Sequence, residues 1–434
     1  MHDFTYRRDF LMSTDSVKHR LVVVGGGFGG LWATRSLNRA NVDITLVDKR
    51  NFHLFQPLLY QVATGALSPA DIASPLRGIL ARQSNVLVKQ AEMTGVDLAR
   101  RQVILGDDHI PYDSLLIATG SDNHYFGNDH WESVAPGLKT VEDALQIRNQ
   151  IFSRFEQAER ESDESERERL MTFVIIGAGP TGVELAGALA EIARITLKGN
   201  FRRIDPATAR ITVLDGSPDI LGGYTSDLRH KARVSLAQLG VTVVTDAMVK
   251  SVNAGGVIAK VAGETQHIEA ATVLWAAGVK PSSVGRMISP DGTLLDRQGR
   301  VKVTDQLTVP GHDEVYVIGD LARLDDAKGI PLPGTAPVAM SQGRYVAKRI
   351  VAALKNRKTE PYRYINRGTM AVLGRHSAVA DLGWARFSGY PAWLLWLFVH
   401  LMYLVEYDNR LLVFIQWAWN YFTRNRGARL ITNE

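Results

Sequence analysis

Two groups of three glycines, each spaced as G-x-G-x-x-G, carry the most direct chemical meaning in this chain. They are Gly25, Gly27 and Gly30 in the first group, and Gly177, Gly179 and Gly182 in the second. In such a group the first glycine allows a tight turn, the second lets the backbone approach a pyrophosphate, and the third lets a helix pack closely on a strand. The helix that follows directs free N–H groups at the phosphates. Two copies predict two bound dinucleotides.

A carboxylate follows each glycine group at the end of the next predicted strand. Asp48 lies 48 − 25 = 23 residues after Gly25, and Asp215 lies 215 − 177 = 38 residues after Gly177. A carboxylate at this place accepts hydrogen bonds from ribose hydroxyls and repels a 2′-phosphate. The second site is therefore predicted to prefer NADH over NADPH.

The elements that must position these residues are short apolar strands. Residues 21–24 and 173–176 precede the two glycine groups, and three more apolar runs end in Ala-Thr-Gly, Ala-Ala-Gly and Gly-Asp. These endings contribute the candidate cofactor residues Thr119, Gly120, Gly278, Gly319 and Asp320. A Gly-Asp ending is typical of the flavin site in proteins with two dinucleotides, so the first site is predicted to hold FAD.

Strands alternating with helices predict an α/β fold with two Rossmann-like dinucleotide-binding domains in a glutathione-reductase-like arrangement. Because the Gly-Asp strand comes after the second glycine group, the first domain is expected to be split. The predicted divisions are a flexible leader 1–17, an FAD domain 18–130 and 286–374, an NADH-binding domain 131–285, and a C-terminal membrane-associated helical part 375–434.

Composition excludes several classes of function. The chain has 434 residues and no cysteine, which excludes a disulfide framework, a thiolate metal site and a redox-active cysteine pair. The 11 histidines show no metal-ligand spacing, so no metal site is predicted. A formal net charge of +5 is modest, and no nucleic acid partner is predicted.

Glu184 is the candidate residue for proton chemistry. It lies seven residues after Gly177, inside the helix that follows the second glycine group. A glutamate near the start of a helix is usually solvated or stabilised by the helix dipole. Its apolar neighbours Val183 and Leu185 leave open the alternative, in which a raised pKa lets it handle protons near a nicotinamide.

These motifs, in this order and without cysteines, resemble those of the type II NADH:quinone oxidoreductases, the non-proton-pumping respiratory NADH dehydrogenases. The resemblance is most specific in residues 52–65, 179–184 and 334–343. It implies hydride transfer from NADH to FAD, followed by two-electron reduction of a membrane quinone. It also raises the prospect that Glu184 acts in the reaction.

The resemblance adds candidate residues to those found from spacing. The additional cofactor-binding candidates are Phe28, Gly29, Lys49, Pro180 and Thr181. The candidate quinone residues are Gln56, Pro57, Ala339, Ser341 and Gln342. In the last group the sequence departs from the family motif, because Pro337 and Ser341 stand where that motif often has glutamine.

The C-terminal sixty residues are rich in tryptophan and contain two apolar runs, 392–405 and 411–422. Each run is shorter than the roughly 20 residues that span a bilayer. Aromatic helices flanked by arginines are typical of proteins that lie on a membrane surface. The alternatives are a dimerisation hairpin or helices of the core. Together with the resemblance, this predicts a peripheral homodimer on the cytoplasmic face of the cell inner membrane.

Three other interpretations remain open. The N-terminal run Tyr-Arg-Arg-Asp-Phe-Leu resembles a twin-arginine export signal, but a polar stretch follows it. A soluble NADH-dependent ferredoxin or rubredoxin reductase would share both glycine groups. A non-catalytic NADH-binding sensor would share the second.

Overall fold

The structure is a computed structural model that describes residues 18–423 and 426–432, apart from the side chain of Tyr407. The predicted leader, residues 1–17, lies outside the described residues. So do the last two residues and the short gap before Arg426.

A six-stranded sheet forms the first dinucleotide-binding fold. Its strands, in spatial order, are Thr308–Val309, His312–Val317, Ser114–Ile117, His19–Val24, Val42–Asp48 and Val86–Gln90. All neighbouring pairs are parallel except the first. Val315 pairs with Leu115, so the chain returns to this sheet late in the sequence, as its Gly-Asp ending predicts.

A four-stranded parallel sheet forms the second fold. Its strands, in spatial order, are Val241–Val244, Arg210–Leu214, Thr172–Ile176 and Thr272–Trp275. Every residue of Thr172–Ile176 is buried, which explains why that strand reads as an uninterrupted apolar run. The mainly parallel first sheet and the parallel second sheet confirm the predicted α/β class.

Two helices follow the glycine groups directly. The first fingerprint helix is Phe28–Ser36 and the second fingerprint helix is Pro180–Glu191, which continues into a π-helical turn, Ile192–Thr196. The other α-helices are Leu59–Ala63, Pro69–Ile72, Leu76–Ile79, Val141–Arg160, Glu164–Leu170, Ser226–Gln238, Val284–Ile288, Ala336–Ala353, Tyr390–Tyr403 and Tyr407–Thr423. Short 3₁₀ helices are Gln56–Leu58, Asp129–Ser133, Pro206–Thr208 and Gly319–Leu321.

Small antiparallel sheets complete most of the fold. The three-stranded sheets are Gly95–Asp97 with Gln102–Leu105 and Asp108–Pro111, Ala247–Asn253 with Gly256–Val261 and Glu264–Glu269, and Thr369–Gly374 with Ser377–Asp381 and Arg386–Gly389. Three two-stranded sheets are Phe52–Leu54 with Ala73–Pro75, Ser121–Asn123 with Val279–Pro281, and the parallel pair Val301–Lys302 with Ala322–Arg323.

One of these small sheets joins the two dinucleotide-binding folds. Ser121–Asn123 follows Gly120 directly, and Val279–Pro281 follows Gly278 directly, so the two strand endings pair with each other. The Ser282 N–H also donates to the Gly120 carbonyl, at 3.1 Å. Residues predicted to approach the two cofactors are thus brought to one junction.

The C-terminal part packs against the second fingerprint helix. A side chain at Gly187 would collide with the Leu373 carbonyl, so this glycine lets the last antiparallel sheet approach the helix backbone. Trp396 and Val413 of the two C-terminal helices, Tyr390–Tyr403 and Tyr407–Thr423, are buried in the largest apolar core. These helices are therefore core helices on one side.

The opposite side of the two C-terminal helices exposes large apolar side chains. Those exposed by about half or more are Phe398, Met402, Leu411, Leu412, Phe414, Ile415, Trp419 and Phe422. Across the described ranges, every helix is too short or too polar to cross a membrane.

Candidate active site

The first glycine turn has the shape that its spacing predicts. Gly25 has φ +103°, and a side chain there would meet the Ala118 carbonyl. A side chain at Gly30 would collide with the Gly25 carbonyl, whereas one at Gly27 would meet nothing within 4 Å. Gly25 and Gly30 are therefore packed against other backbone atoms. The turn is open at Gly27, which leaves room for a pyrophosphate at the backbone.

The second glycine turn repeats this arrangement. Gly177 has φ +106° and abuts the backbone of Ala276, and a side chain at Gly182 would collide with the Gly177 carbonyl. A side chain at Gly179 would again meet nothing within 4 Å. Pro180 and Thr181 form the first turn of the second fingerprint helix. The residues present fit a dinucleotide at both turns.

The two predicted ribose carboxylates have matching hydrogen bonds. Asp48 accepts from the Gly26 N–H at 2.6 Å and from the Arg50 N–H at 2.7 Å. Asp215 accepts from Ala178 at 2.6 Å and from Ser217 at 2.7 Å. Burial raises the pKa of Asp48. Each carboxylate is held at its turn by backbone donors and keeps acceptor capacity for a ribose.

The Gly-Asp ending lies at the junction of the two folds. The Ser121 hydroxyl donates to Asp320 at 2.6 Å, and the Lys139 ammonium lies 4.0 Å from the same carboxylate. Gly319 has φ +71°, and its N–H donates to the Gln342 side chain at 2.7 Å. The Thr119 hydroxyl lies 2.6 Å from that of Ser282, across the junction.

Other predicted cofactor residues have visible packing roles. The Phe28 ring packs against His53 and Phe55, with ring centres 5.0 and 5.8 Å apart. The Gly29 carbonyl is the atom that a side chain at Gly343 would strike, so these two glycines let the first fingerprint helix meet the helix Ala336–Ala353. Lys49 is exposed.

Gly278 also has a packing role. It has φ +76° and abuts the Phe126 ring, where a side chain would clash. Its backbone therefore adopts a conformation that favours glycine, directly before the strand that joins the two folds.

The candidate quinone residues are not gathered into one pocket. Gln342 is buried and bound to the Gly319 backbone, and Ala339 lies beside Gly319. Ser341 instead lines a separate surface pocket with Arg344 and Tyr362. Gln56 and Pro57 lie partly exposed on a short 3₁₀ helix. Their assignment to quinone stays a prediction.

A cavity of about 540 Å³ lies where the second fingerprint helix meets the two C-terminal helices. We call it the Glu184 cavity. Its walls are mainly apolar and aromatic, and its polar lining includes Glu184, Glu191, Tyr60, Gln61, Arg375 and Arg426. Phe398, Phe414 and Phe422 also line it and are exposed at the surface, so the cavity reaches the apolar face of the C-terminal helices.

Glu184 lies partly buried on the cavity wall. Burial raises the pKa of its carboxyl to about 8, while the Val372 N–H, which donates to it at 3.3 Å, and the Trp396 side chain act in the opposite direction. A group with this pKa holds a proton at neutral pH and can release it into the cavity.

The sequence analysis did not identify several residues of this cavity. The Trp417 indole donates to Gln61 at 2.8 Å, and the Gln61 amide donates to the Tyr60 hydroxyl at 2.9 Å. Arg426 pairs with Glu191 at 2.8 Å. Tyr60 and Gln61 lie in the segment that carries the resemblance, and Glu191 lies two helical turns after Glu184. These three residues could therefore have been identified from the sequence. No sequence pattern indicates Arg426.

Comparison with known proteins identifies the family. The family model for pyridine nucleotide-disulphide oxidoreductases matches residues 19–343, and that for the NDH2 C-terminal domain matches residues 366–425. The chain is 44% identical over 426 residues to the type II NADH:quinone oxidoreductase Ndh of Mycobacterium tuberculosis, covering 96% of this chain and 91% of that protein. The chain belongs to the type II NADH:quinone oxidoreductases.

Two further relatives agree with this membership. NdhA, another type II NADH:quinone oxidoreductase of M. tuberculosis, is 46% identical over 430 residues, covering 96% of this chain and 90% of that protein. The solved structure of NDH2 from Plasmodium falciparum in complex with NADH matches with a TM-score of 0.88 at 19% identity, covering 96% of this chain and all of that one. That structure supports the fold of this type II NADH:quinone oxidoreductase. The predicted family and fold class are confirmed.

Among residues 18–423 and 426–432, no three histidine, aspartate or glutamate side chains come together in a way that could hold a metal ion.

Proposed function

We propose that the chain oxidises NADH and reduces a membrane quinone to the quinol, with FAD as its redox cofactor and without proton pumping. NADH gives up a hydride, and the quinone receives two electrons and two protons, one of them taken up from water. Bound FAD supplies the hydride acceptor and then the two-electron donor. The absence of cysteine leaves no sulfur relay between the two substrates.

The assignment of residues follows the two turns. The turn Gly25–Gly30 with Asp48 and Asp320 would hold FAD, and the turn Gly177–Gly182 with Asp215 would hold NADH. We also propose the domain divisions predicted from the sequence. The junction strands Ser121–Asn123 and Val279–Pro281 would keep the two cofactor sites at a fixed separation.

One observation carries the quinone half of the proposal: the Glu184 cavity joins a protonated carboxyl to an apolar surface. A quinone has a polar head that must receive protons and an apolar tail that partitions into lipid. The cavity offers a proton donor at one place and apolar, aromatic walls around it. We therefore propose Glu184 as a proton donor to the reduced quinone.

The exposed apolar face of the two C-terminal helices supports a peripheral membrane location. Contiguous exposed apolar side chains mark a surface that contacts another apolar phase, and aromatic residues are favoured at a membrane interface. We place the protein on the cytoplasmic face of the inner membrane, where NADH is produced. The homodimer stays a prediction, for which the molecular mass in detergent is the test.

Steady-state kinetics of the purified protein tests the proposed function. We expect a yellow protein that oxidises NADH continuously when a short-chain quinone is present. A colourless protein that cannot take up flavin, or flavin-loaded protein without quinone-dependent turnover, would contradict it. Reduction of a purified ferredoxin or rubredoxin but not of quinone would instead support the soluble reductase.

A further inference from the structure

The chain after the second C-terminal helix folds back over both dinucleotide-binding folds. The Ala428 N–H donates to the Gly65 carbonyl at 3.2 Å, at the end of the segment that carries the resemblance. The Thr432 carbonyl accepts from the Asn149 side chain at 2.7 Å. We call residues 426–432 the return segment. It brings one buried arginine, Arg426, to the Glu184 cavity.

Arg426 is buried and held at both ends of its guanidinium. One nitrogen lies 2.8 Å from a Glu191 carboxylate oxygen, and another donates to the Thr64 carbonyl at 3.2 Å. Only 8% of Arg426 is exposed, so its charge is removed from water. Burial lowers the pKa of Arg426, and Glu191 acts in the opposite direction. A guanidinium in such a place is stable only with its carboxylate partner.

Glu191 connects this arginine with Glu184. The two glutamates lie on the second fingerprint helix, two turns apart, and both line the cavity. The second Glu191 oxygen accepts from the Arg375 backbone N–H. Tyr60 is buried among these groups, and the charges of Glu184, Glu191 and Arg426 all act on the pKa of its hydroxyl, which burial raises.

Three further charged or titratable groups lie near Glu184. They are Tyr60 from the helix Leu59–Ala63, Tyr224 before the helix Ser226–Gln238, and Arg375 after the strand Thr369–Gly374. His400, from the first C-terminal helix, stacks on Trp396 one step away. Burial lowers the pKa of His400 to about 4, so it is neutral at pH 7. The Arg375 guanidinium stacks on the Tyr421 ring, 4.5 Å from its centre.

We propose that the Arg426–Glu191 ion pair is a positioning unit for quinone reduction, which lines the Glu184 cavity and keeps the charge of each partner compensated there. The inference rests on the proposed function. In a medium of low polarity, an uncompensated charge acts over long distances. With the pair intact, the two opposite charges cancel at Glu184, and the carboxyl keeps its proton for the quinone.

Removing the charge of one partner or of the other should shift the pH midpoint of quinone turnover in opposite directions, which a merely structural role would not produce. In Glu191→Gln the uncompensated Arg426 cation favours the ionised form of Glu184. In Arg426→Gln the uncompensated Glu191 anion favours the protonated form. The pH midpoint of quinone turnover should move down in the first variant and up in the second, each on the order of one pH unit.

The experiment measures NADH–quinone turnover against pH in FAD-loaded protein, divided by NADH–ferricyanide turnover of the same variant. Arg426→Lys keeps the charge and should keep the wild-type midpoint, and the double variant Glu191→Gln/Arg426→Gln should return close to it. Midpoints that do not move, or that move in the same direction in both single variants, would overturn the inference.

A second ion pair of similar burial provides the control. Arg300 lies 2.8 Å from Asp296, and both side chains are about as buried as those of Arg426 and Glu191. Arg300→Gln should therefore leave the midpoint unchanged. If Arg426→Gln does not bind FAD, Glu191→Gln is compared with the double variant instead. These two proteins differ only at residue 426, so the comparison measures the effect of the arginine charge. Wild-type protein that fails to reduce quinone would contradict the proposed function, whereas unmoved midpoints in active protein contradict only this inference.

Discussion

Glu184→Gln tests the proton chemistry of the cavity most directly. Burial raises the pKa of this carboxyl to about 8, so about nine tenths of it is protonated at pH 7 and about one tenth at pH 9. If the protonated form donates to the quinone, turnover with quinone should fall about tenfold over that interval. A glutamine cannot release a proton, so its turnover should be lower by roughly 100-fold and should lack this fall.

The same pKa makes a prediction about stability. A shift from 4.5 to about 8 corresponds to about 5 kcal/mol. Because the folded-state pKa is raised, the folded protein binds the proton more tightly than the unfolded chain. This stability is fully present below pH 4.5 and is lost as the pH rises through 8. Glu184→Gln lacks the carboxyl, so its free energy of unfolding should not fall in this way. The stability of the variant relative to the wild type should therefore increase as the pH increases.

Two assays separate these effects. Turnover with quinone is compared with turnover with ferricyanide, a water-soluble acceptor that takes electrons without protons. Thermal unfolding of both proteins is followed from pH 5 to pH 9. Quinone profiles of the same shape in wild type and variant, with parallel unfolding temperatures across the pH range, would refute the assignment of a proton to Glu184.

Three further predictions concern the cofactor turns and the surface. Asp215→Arg should shift the kcat/KM ratio toward NADPH, because it replaces the carboxylate proposed to bind the ribose of NADH; an unchanged ratio would count against this. Gly27→Ala should fold but lose FAD absorbance, whereas Gly30→Ala should also lower the unfolding temperature of the apoprotein, because only the second side chain meets backbone. Phe398→Glu should weaken binding to lipid vesicles. The control Leu87→Glu changes a similarly exposed apolar residue outside the C-terminal helices and should not weaken it.

The shape of the two glycine turns could be predicted because it depends on local backbone geometry. The collisions that require glycine at positions 25, 30, 177 and 182 come from the turn itself and the adjacent strand ending. Asp48 and Asp215 follow from the same local pattern, since a strand that ends beside the turn must place its next side chain there. Matching backbone hydrogen bonds at both carboxylates show that the repeated pattern builds the same structure twice.

The cavity could not be predicted because its contacts are distant in sequence. Arg426 and Glu191 are separated by 235 positions, and Trp417 and Gln61 by 356. Neither pair has a periodic signal, because each depends on where the C-terminal helices return to the core. Gln342 shows the converse: a resemblance pointed to it, but only the structure shows its bond to the Gly319 backbone.

The second fingerprint helix explains how two sites can share one rigid element. Its N-terminus meets the open glycine at 179, and Glu184 and Glu191 lie farther along, so about 18 Å of helix separates the phosphate turn from its last residue. Gly187 lets the Leu373 carbonyl approach that helix, and the neighbouring Val372 N–H then reaches Glu184. In the proposed function, the helix that would bind NADH at one end would therefore hold Glu184 at the cavity. The position of Glu184 is set by backbone packing, without need of a cysteine pair.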